Sequence, residues 1–125
     1  MRIFTNNPAV EAAYPDLASN IEGGVSAVFF AVRDAVHKGV QVLSHPLSGS
    51  IAPGESPYKS VVVSAEAGEL DFASLQLIEN AISMLNSQGA KPMPTDASTQ
   101  EDYRIIDLDL INSAMYALLN ERGAS

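Results

Sequence analysis

One histidine stands before a proline at the head of HPLSGSIAPGESPYKS, residues 45–60, a polar and turn-rich stretch set between two apolar runs. An imidazole in such a place can act as a general base or as a ligand contact, and it can equally be tied to loop backbone. The Ser48–Gly49–Ser50 triplet follows. Its glycine lets backbone N–H groups approach a ligand, and two hydroxyls flank it, which is the composition of an anion cradle. Lys59, at the far end, supplies a positive charge. The alternative is a turn-rich loop packed on itself. A second polar group, Asn6 and Asn7 in TNNP, lies near the N-terminus. Asn6, Asn7, His45, Ser48, Gly49, Ser50 and Lys59 are the candidate ligand-binding residues. His45 is the one candidate for catalysis.

Other chemistries find less support. The chain has no GxxxxGK[ST] phosphate loop, no GxGxxG and no GxSxG nucleophile elbow. It contains no cysteine, so neither a disulfide framework nor thiol chemistry is available. A metal site needs three or more converging ligands; two histidines without a nearby carboxylate cluster predict none, and no cofactor is expected. His37 falls where a helix C-terminal turn accounts for it. Asp16, Asp71, Asp107 and Asp109 read as helix caps or surface charges. A net charge of −8 and a pI near 4.5 argue against nucleic-acid binding. The longest apolar run, AVFFAV, is far short of the roughly 20 residues of a membrane span. MRIFTNNPAV does not resemble a signal peptide, so a cytoplasmic protein is expected, with no membrane partner.

These residues must be positioned by secondary structure. RIF predicts a first strand, followed by a short helix over 8–13 with Asn7 as cap and Pro8 in its first turn. LASNI, within 17–22, holds a weaker strand signal. Val25, Val28, Phe29, Val32 and Val36 recur at helical spacing and predict a helix over 25–38, closed by Gly39. Phe30 lies outside that stripe, which suggests cover on two sides. VQVLS, 40–44, reads as a strand. The unbroken β-branched run in SVVVSA, 60–65, predicts a strand buried on both faces, as in a parallel sheet. Asp71 caps a helix whose stripe is Phe72, Leu75, Ile78, Ile82 and Leu85, ended by Gly89 and Pro92. Residues 91–99 form a linker. Ser98 with Glu101 has capping-box spacing, so a last helix is expected from about residue 99.

Strands separated by helices imply parallel pairing through right-handed crossovers. The expected fold is α/β: one domain over 1–125, a small three-layer sandwich around a mostly parallel sheet of three or four strands. Ligands of such sheets bind beyond the strand carboxyl ends, where TNNP and the 45–60 segment would meet. The apolar excess on the 25–38 and 100–121 helices suggests a homo-oligomer.

TNNP, VRDAVHKG, LSHPLSGSIAPGESPYKS and LDFASLQLIENAI, in that order, resemble the glycine reductase complex component X family, GrdX. The likeness runs over about residues 4–85. NIEGGVSAVFFA departs from the family pattern in its more apolar helix start. By position, the shared motifs take in Thr5, Asn6, Asn7 and Pro8, then His37, Lys38 and Gly39. In the loop they take in His45, Pro46, Ser48, Gly49, Ser50, Glu55, Pro57, Tyr58 and Lys59. The resemblance implies a cytoplasmic protein of anaerobic amino-acid fermentation, associated with glycine, sarcosine or betaine reductase components. It brings no assigned chemistry to any residue.

Two functions are therefore expected in order. The first is a non-catalytic accessory protein that binds a small polar or anionic ligand, or a reductase component, through strand-end loops. The second is a small enzyme acting on an amino-acid-derived or phosphorylated metabolite, with His45 as base and the Ser-Gly-Ser turn as oxyanion or phosphate cradle. The first ranks higher because no complete set of nucleophile, base and orienting group can be read. A purely structural partner is a third possibility.

Overall fold

Three short strands and four helices make up the computed structural model, which describes residues 1–48, 55–89 and 91–123. In chain order they are β1 (Arg2–Thr5), α1 (Pro8–Ala13), β2 (Ala18–Asn20), α2 (Val25–His37), β3 (Ser60–Val63), α3 (Phe72–Gln88) and α4 (Ala97–Gly123). The sheet order is β2-β1-β3. β1 runs parallel to β2, with Thr5 opposite Asn20, and antiparallel to β3, with Ile3 opposite Val62 and Thr5 opposite Ser60. The fold is thus α/β with a small mixed sheet, and the mostly parallel sheet expected from the sequence is corrected.

The correction has a definite origin. All four residues of β3 are buried, as its β-branched run implied. Burial on both faces reports cover by helices, however, and not strand direction. Residues 40–44 form no regular strand but one antiparallel bridge, Val42 to Val63. Beside it, Leu43 N–H donates to the Val62 carbonyl and Ser64 N–H to that of Gln41, both at 2.8 Å. A parallel pair would need a crossover to the opposite end of the sheet, usually a helix. The 45–59 segment instead starts and finishes at one end.

Side chains of the strands alternate between two buried clusters. Val61 and Val63 join Val28, Phe29, Val32 and Val36 of α2 and Ile78, Ala81 and Leu85 of α3. Ile3 and Val62 join Val10 of α1 and Ile111 and Met115 of α4. Each Val, Leu, Ile, Phe or Met side chain among them taken fully out of water contributes about 1.5–3 kcal/mol. Helices flank both faces, yet a clear three-layer sandwich does not form. The strands are too short to seat every helix, so α3 packs chiefly on α2 and α1 on α4.

Local chemistry sets the boundaries. Asn7 caps α1, its Oδ1 accepting from Ala9 N–H at 3.0 Å. Asp71 caps α3 and also accepts from the Ser74 hydroxyl at 2.6 Å, while Ser74 Oγ accepts from Val42 N–H at 2.8 Å. That relay ties the edge segment to α3. Phe72, placed in the core stripe by spacing, is 74% exposed at the helix start; Ser74 and Ala81 are buried instead. The last helix starts at Ala97, not 99, because Asp96 is its cap, accepting from Thr99 N–H at 3.1 Å. Glu101 pairs with Arg104 at 2.9 Å rather than completing a capping box with Ser98. Gly39 closes α2 with φ 96° and sits against Gly68, whose N–H donates to the Gly39 carbonyl at 3.0 Å. Among the described residues no helix is long and apolar enough to cross a membrane.

Candidate functional site

One end of the sheet gathers three of the candidate residues, Asn6, Asn7 and Lys59. Thr5 ends β1 directly opposite Ser60, which begins β3, so TNNP and the close of the 45–59 segment are neighbours by register. The antiparallel return, not a row of parallel carboxyl ends, brings them together.

Asn6 holds the two segments in place. Its amide donates to the carbonyls of Gly23 at 3.0 Å and Pro57 at 2.9 Å, and its Oδ1 accepts from Lys59 N–H at 2.8 Å. Asn6 N–H also donates to the Lys59 carbonyl at 3.4 Å. One side chain thus joins β1, the turn before α2 and the segment entering β3. Each net hydrogen bond of this kind contributes about 0.5–1.5 kcal/mol.

Asn7 turns inward. It is fully buried, as is Thr5. Besides capping α1, its amide donates to the Arg104 carbonyl and to Asp107 Oδ2, each at 3.0 Å. Asp107 Oδ2 also accepts from Ser60 Oγ at 2.7 Å, and the Ser60 and Thr5 hydroxyls bond to each other at 2.7 Å. Thr5 Oγ1 accepts from Asn7 N–H at 3.0 Å, closing the network. Asp107 is buried, which corrects its reading as a cap or surface charge. Burial pushes its carboxyl above the usual range, while the hydrogen bonds from Asn7 and Ser60 and the charge of Lys59 pull it back. Lys59 is held below the ordinary lysine value by its own burial, opposed by the attraction of Asp107. The positive charge expected to meet an anion therefore faces an internal carboxylate.

The network could have been found in the sequence. Ile111 and Met115 lie one turn apart on the buried side of α4, and one turn back from Ile111 is Asp107. A carboxylate on an apolar stripe signals a buried acid that needs partners. Arg104, three residues earlier, stacks over Tyr58 with 5.8 Å to the ring centroid and bonds Glu101. Tyr58 is buried beneath it.

His45 and Ser48 stand apart from this group. Both are exposed, and neither shares a hydrogen bond or a groove with Asn6, Asn7 or Lys59 among the described residues. The peptide from Ser44 to Ser48 forms a ridge at the sheet edge, anchored by buried Ser44 and Pro46. Ser44 Oγ accepts from Val62 N–H at 2.8 Å. Within the ridge, His45 Nδ1 accepts from Leu47 N–H at 3.1 Å, and the His45 carbonyl accepts from Ser48 N–H at 3.1 Å. In the neutral ring that bond leaves the proton on Nε2, so the exposed side chain keeps one donor. A groove of about 480 Å³ separates the ridge from Leu77, Asn80 and Met84 of α3. A second groove, about 430 Å³, lies between the ridge and Leu110, Ser113, Ala117 and Glu121 of α4. Gly49 and Ser50 lie outside the described residues. Glu55, the acid of the same loop, pairs with Lys91 at 2.9 Å.

The family model described as GrdX-like protein matches residues 2–116, and the chain belongs to the GrdX-like protein family. The match reaches beyond the motifs legible by eye and takes in Arg104 and Asp107. No curated protein and no solved structure matches the chain.

Proposed function

We propose that this chain is a non-catalytic accessory protein of glycine, sarcosine or betaine reductase systems. In this reading it engages a reductase component, or a small polar ligand presented with one, through the ridge and grooves at the sheet edge. Membership of the GrdX-like family supports the setting. The observation that carries the reading is the state of the polar groups. Asn6, Asn7, Thr5, Ser60 and Asp107 are already bonded to one another or to backbone. Among the described candidate residues, His45 and Ser48 face outward, between the walls of the two grooves.

A general base needs an unprotonated ring nitrogen facing its substrate, oriented from behind by an acceptor. His45 has the reverse arrangement. Its Nδ1 takes an N–H from Leu47, so Nε2 carries the proton as a donor. Donation to a carbonyl or carboxylate on a partner surface fits that state.

The test is capture of purified reductase components, one at a time, on the immobilised chain. Binding of one component, weakened about tenfold or more by His45→Ala or by Ser48→Arg, is expected, since one tenfold step equals about 1.4 kcal/mol at an interface. In parallel, calorimetry with phosphate and with glycine decides the small-ligand arm, using Ser48→Ala and Lys59→Ala. Failure of every component and both ligands to bind at tens of micromolar contradicts the proposal.

A further inference from the structure

α4 carries a second face that the described residues leave uncovered. Ile105, Asp109, Asn112, Tyr116 and Leu119 are all exposed. Their spacing, four then three residues repeated, places them on one stripe of a helix. Tyr116 keeps 71% of its surface and Leu119 55%, while Ile105 keeps 46%. The stripe lies beside α1, where Tyr14 OH donates to Asn112 Oδ1. The 43–48 ridge packs near a different side of α4, along Leu110, Ser113 and Ala117.

The order of residues on this stripe reads the same way from both ends. Asn112 is its midpoint, and Ile105 and Leu119 lie seven residues before and after it. If a second α4 is laid against it antiparallel with the two Asn112 side by side, Ile105 of each copy meets Leu119 of the other. At about 1.5 Å rise per residue, Asp109 of one copy then falls within roughly 2 Å along the axis of Tyr116 of the other. The single acid of the stripe thereby meets a phenol hydroxyl, and the two Asp109 side chains stand about 9 Å apart along the axis. An interface of this isologous kind must be complementary to itself, and this one is in apolar contacts and hydrogen bonding, with the like charges of the two Asp109 held apart. A central Asn pair sets register in the way that a lone polar residue does in a coiled coil. The overall charge of −8 disfavours a nucleic acid or an anionic membrane as the occupant.

We infer that the stripe Ile105–Asp109–Asn112–Tyr116–Leu119 is a homodimer interface, formed by two antiparallel α4 helices about a two-fold axis at Asn112. Its length of about 21 Å and the width of a single helix place it at the small end of stable interfaces, below roughly 800 Å² per partner. The dimer is accordingly a weak, reversible one.

The chain has no cysteine, which permits a clean test. Sedimentation equilibrium of the full chain from about 5 to 500 µM should fit a monomer–dimer equilibrium, with a dissociation constant raised at least about tenfold by Leu119→Glu. Under mild oxidation, Asn112→Cys should form a covalent dimer, because like residues meet at the two-fold axis. Ala117→Cys, exposed on the groove side of the same helix, should remain largely monomeric. All variants carry exposed substitutions, and circular dichroism checks that they fold. A monomer throughout the range overturns the inference. So does a dimer that survives Leu119→Glu, or one in which Asn112→Cys cross-links no faster than Ala117→Cys.

Discussion

Asp107→Ala is the sharpest test of how the sheet end is held. The carboxylate accepts from Asn7 and Ser60 and is the charge set against half-buried Lys59. After truncation, Asn7 still donates to the Arg104 carbonyl and Ser60 still bonds Thr5, so neither is wholly orphaned. Two hydrogen bonds to a charged acceptor are lost at about 1.5 kcal/mol each, the low end for such bonds because both donors keep a partner, and Lys59 loses its counter-charge for a further 1 kcal/mol or so, a total of about 4 kcal/mol. Against an ordinary stability of about 5–15 kcal/mol this is a large fraction. Asp107→Asn keeps the shape and one acceptor oxygen, and should lose only about 1 kcal/mol. The two variants also differ from wild type in pH dependence. Burial raises the Asp107 carboxyl in the folded chain, so its contribution is fullest below the unfolded carboxylate range and declines as pH rises through the folded value. That slope should vanish in Asp107→Asn. Urea unfolding followed by circular dichroism, between about pH 4 and 8, measures both effects. An Asp107→Ala variant within about 0.5 kcal/mol of wild type would refute the network as a source of stability. Equal losses in Ala and Asn would show that the carboxylate's charge, not its shape or a neutral acceptor oxygen, is what matters.

Gly39→Ala should lower Tm by roughly 8 °C or more, because its Cβ would fall 1.8 Å from the Gly68 carbonyl oxygen at φ 96°. Gly68→Ala, with open space at its own Cβ, should leave Tm nearly unchanged in the same melt. Asn6→Ala should cost about 2 kcal/mol through loss of three side-chain hydrogen bonds, and should speed limited proteolysis within 45–59. Phe72→Ala should be neutral within about 0.5 kcal/mol, whereas Ile78→Ala, fully buried, should cost about 2–5 kcal/mol in urea titrations.

The helices were legible because their signals are local. Asn7 and Asp71 stand at caps, and Val25 to Val36 repeat at helical spacing, so α1, α2 and α3 fall within a residue or two of expectation. Strand direction was not legible. The run Val61, Val62, Val63 is buried on both faces whether its neighbours run parallel or antiparallel, and the deciding fact is the path of a long loop. Phe72 misled because it satisfies the helical spacing yet sits in the first turn, beyond the reach of α2. At the site, Asn6 and Asn7 were recognisable as important, but their partners Pro57, Arg104 and Asp107 lie 51, 97 and 100 residues away in sequence. Only the buried-stripe position of Asp107 hinted at such a link.

The proposed docking surface is tested most directly by hydrogen–deuterium exchange of the chain, alone and mixed with each reductase component. Slowed exchange is expected in peptides covering 43–48 and in the groove-lining turns of α3 or α4, with one component and not the others, and loss of that protection in His45→Ala. Protection confined to segments away from the ridge, or exchange unchanged by every component, would contradict it.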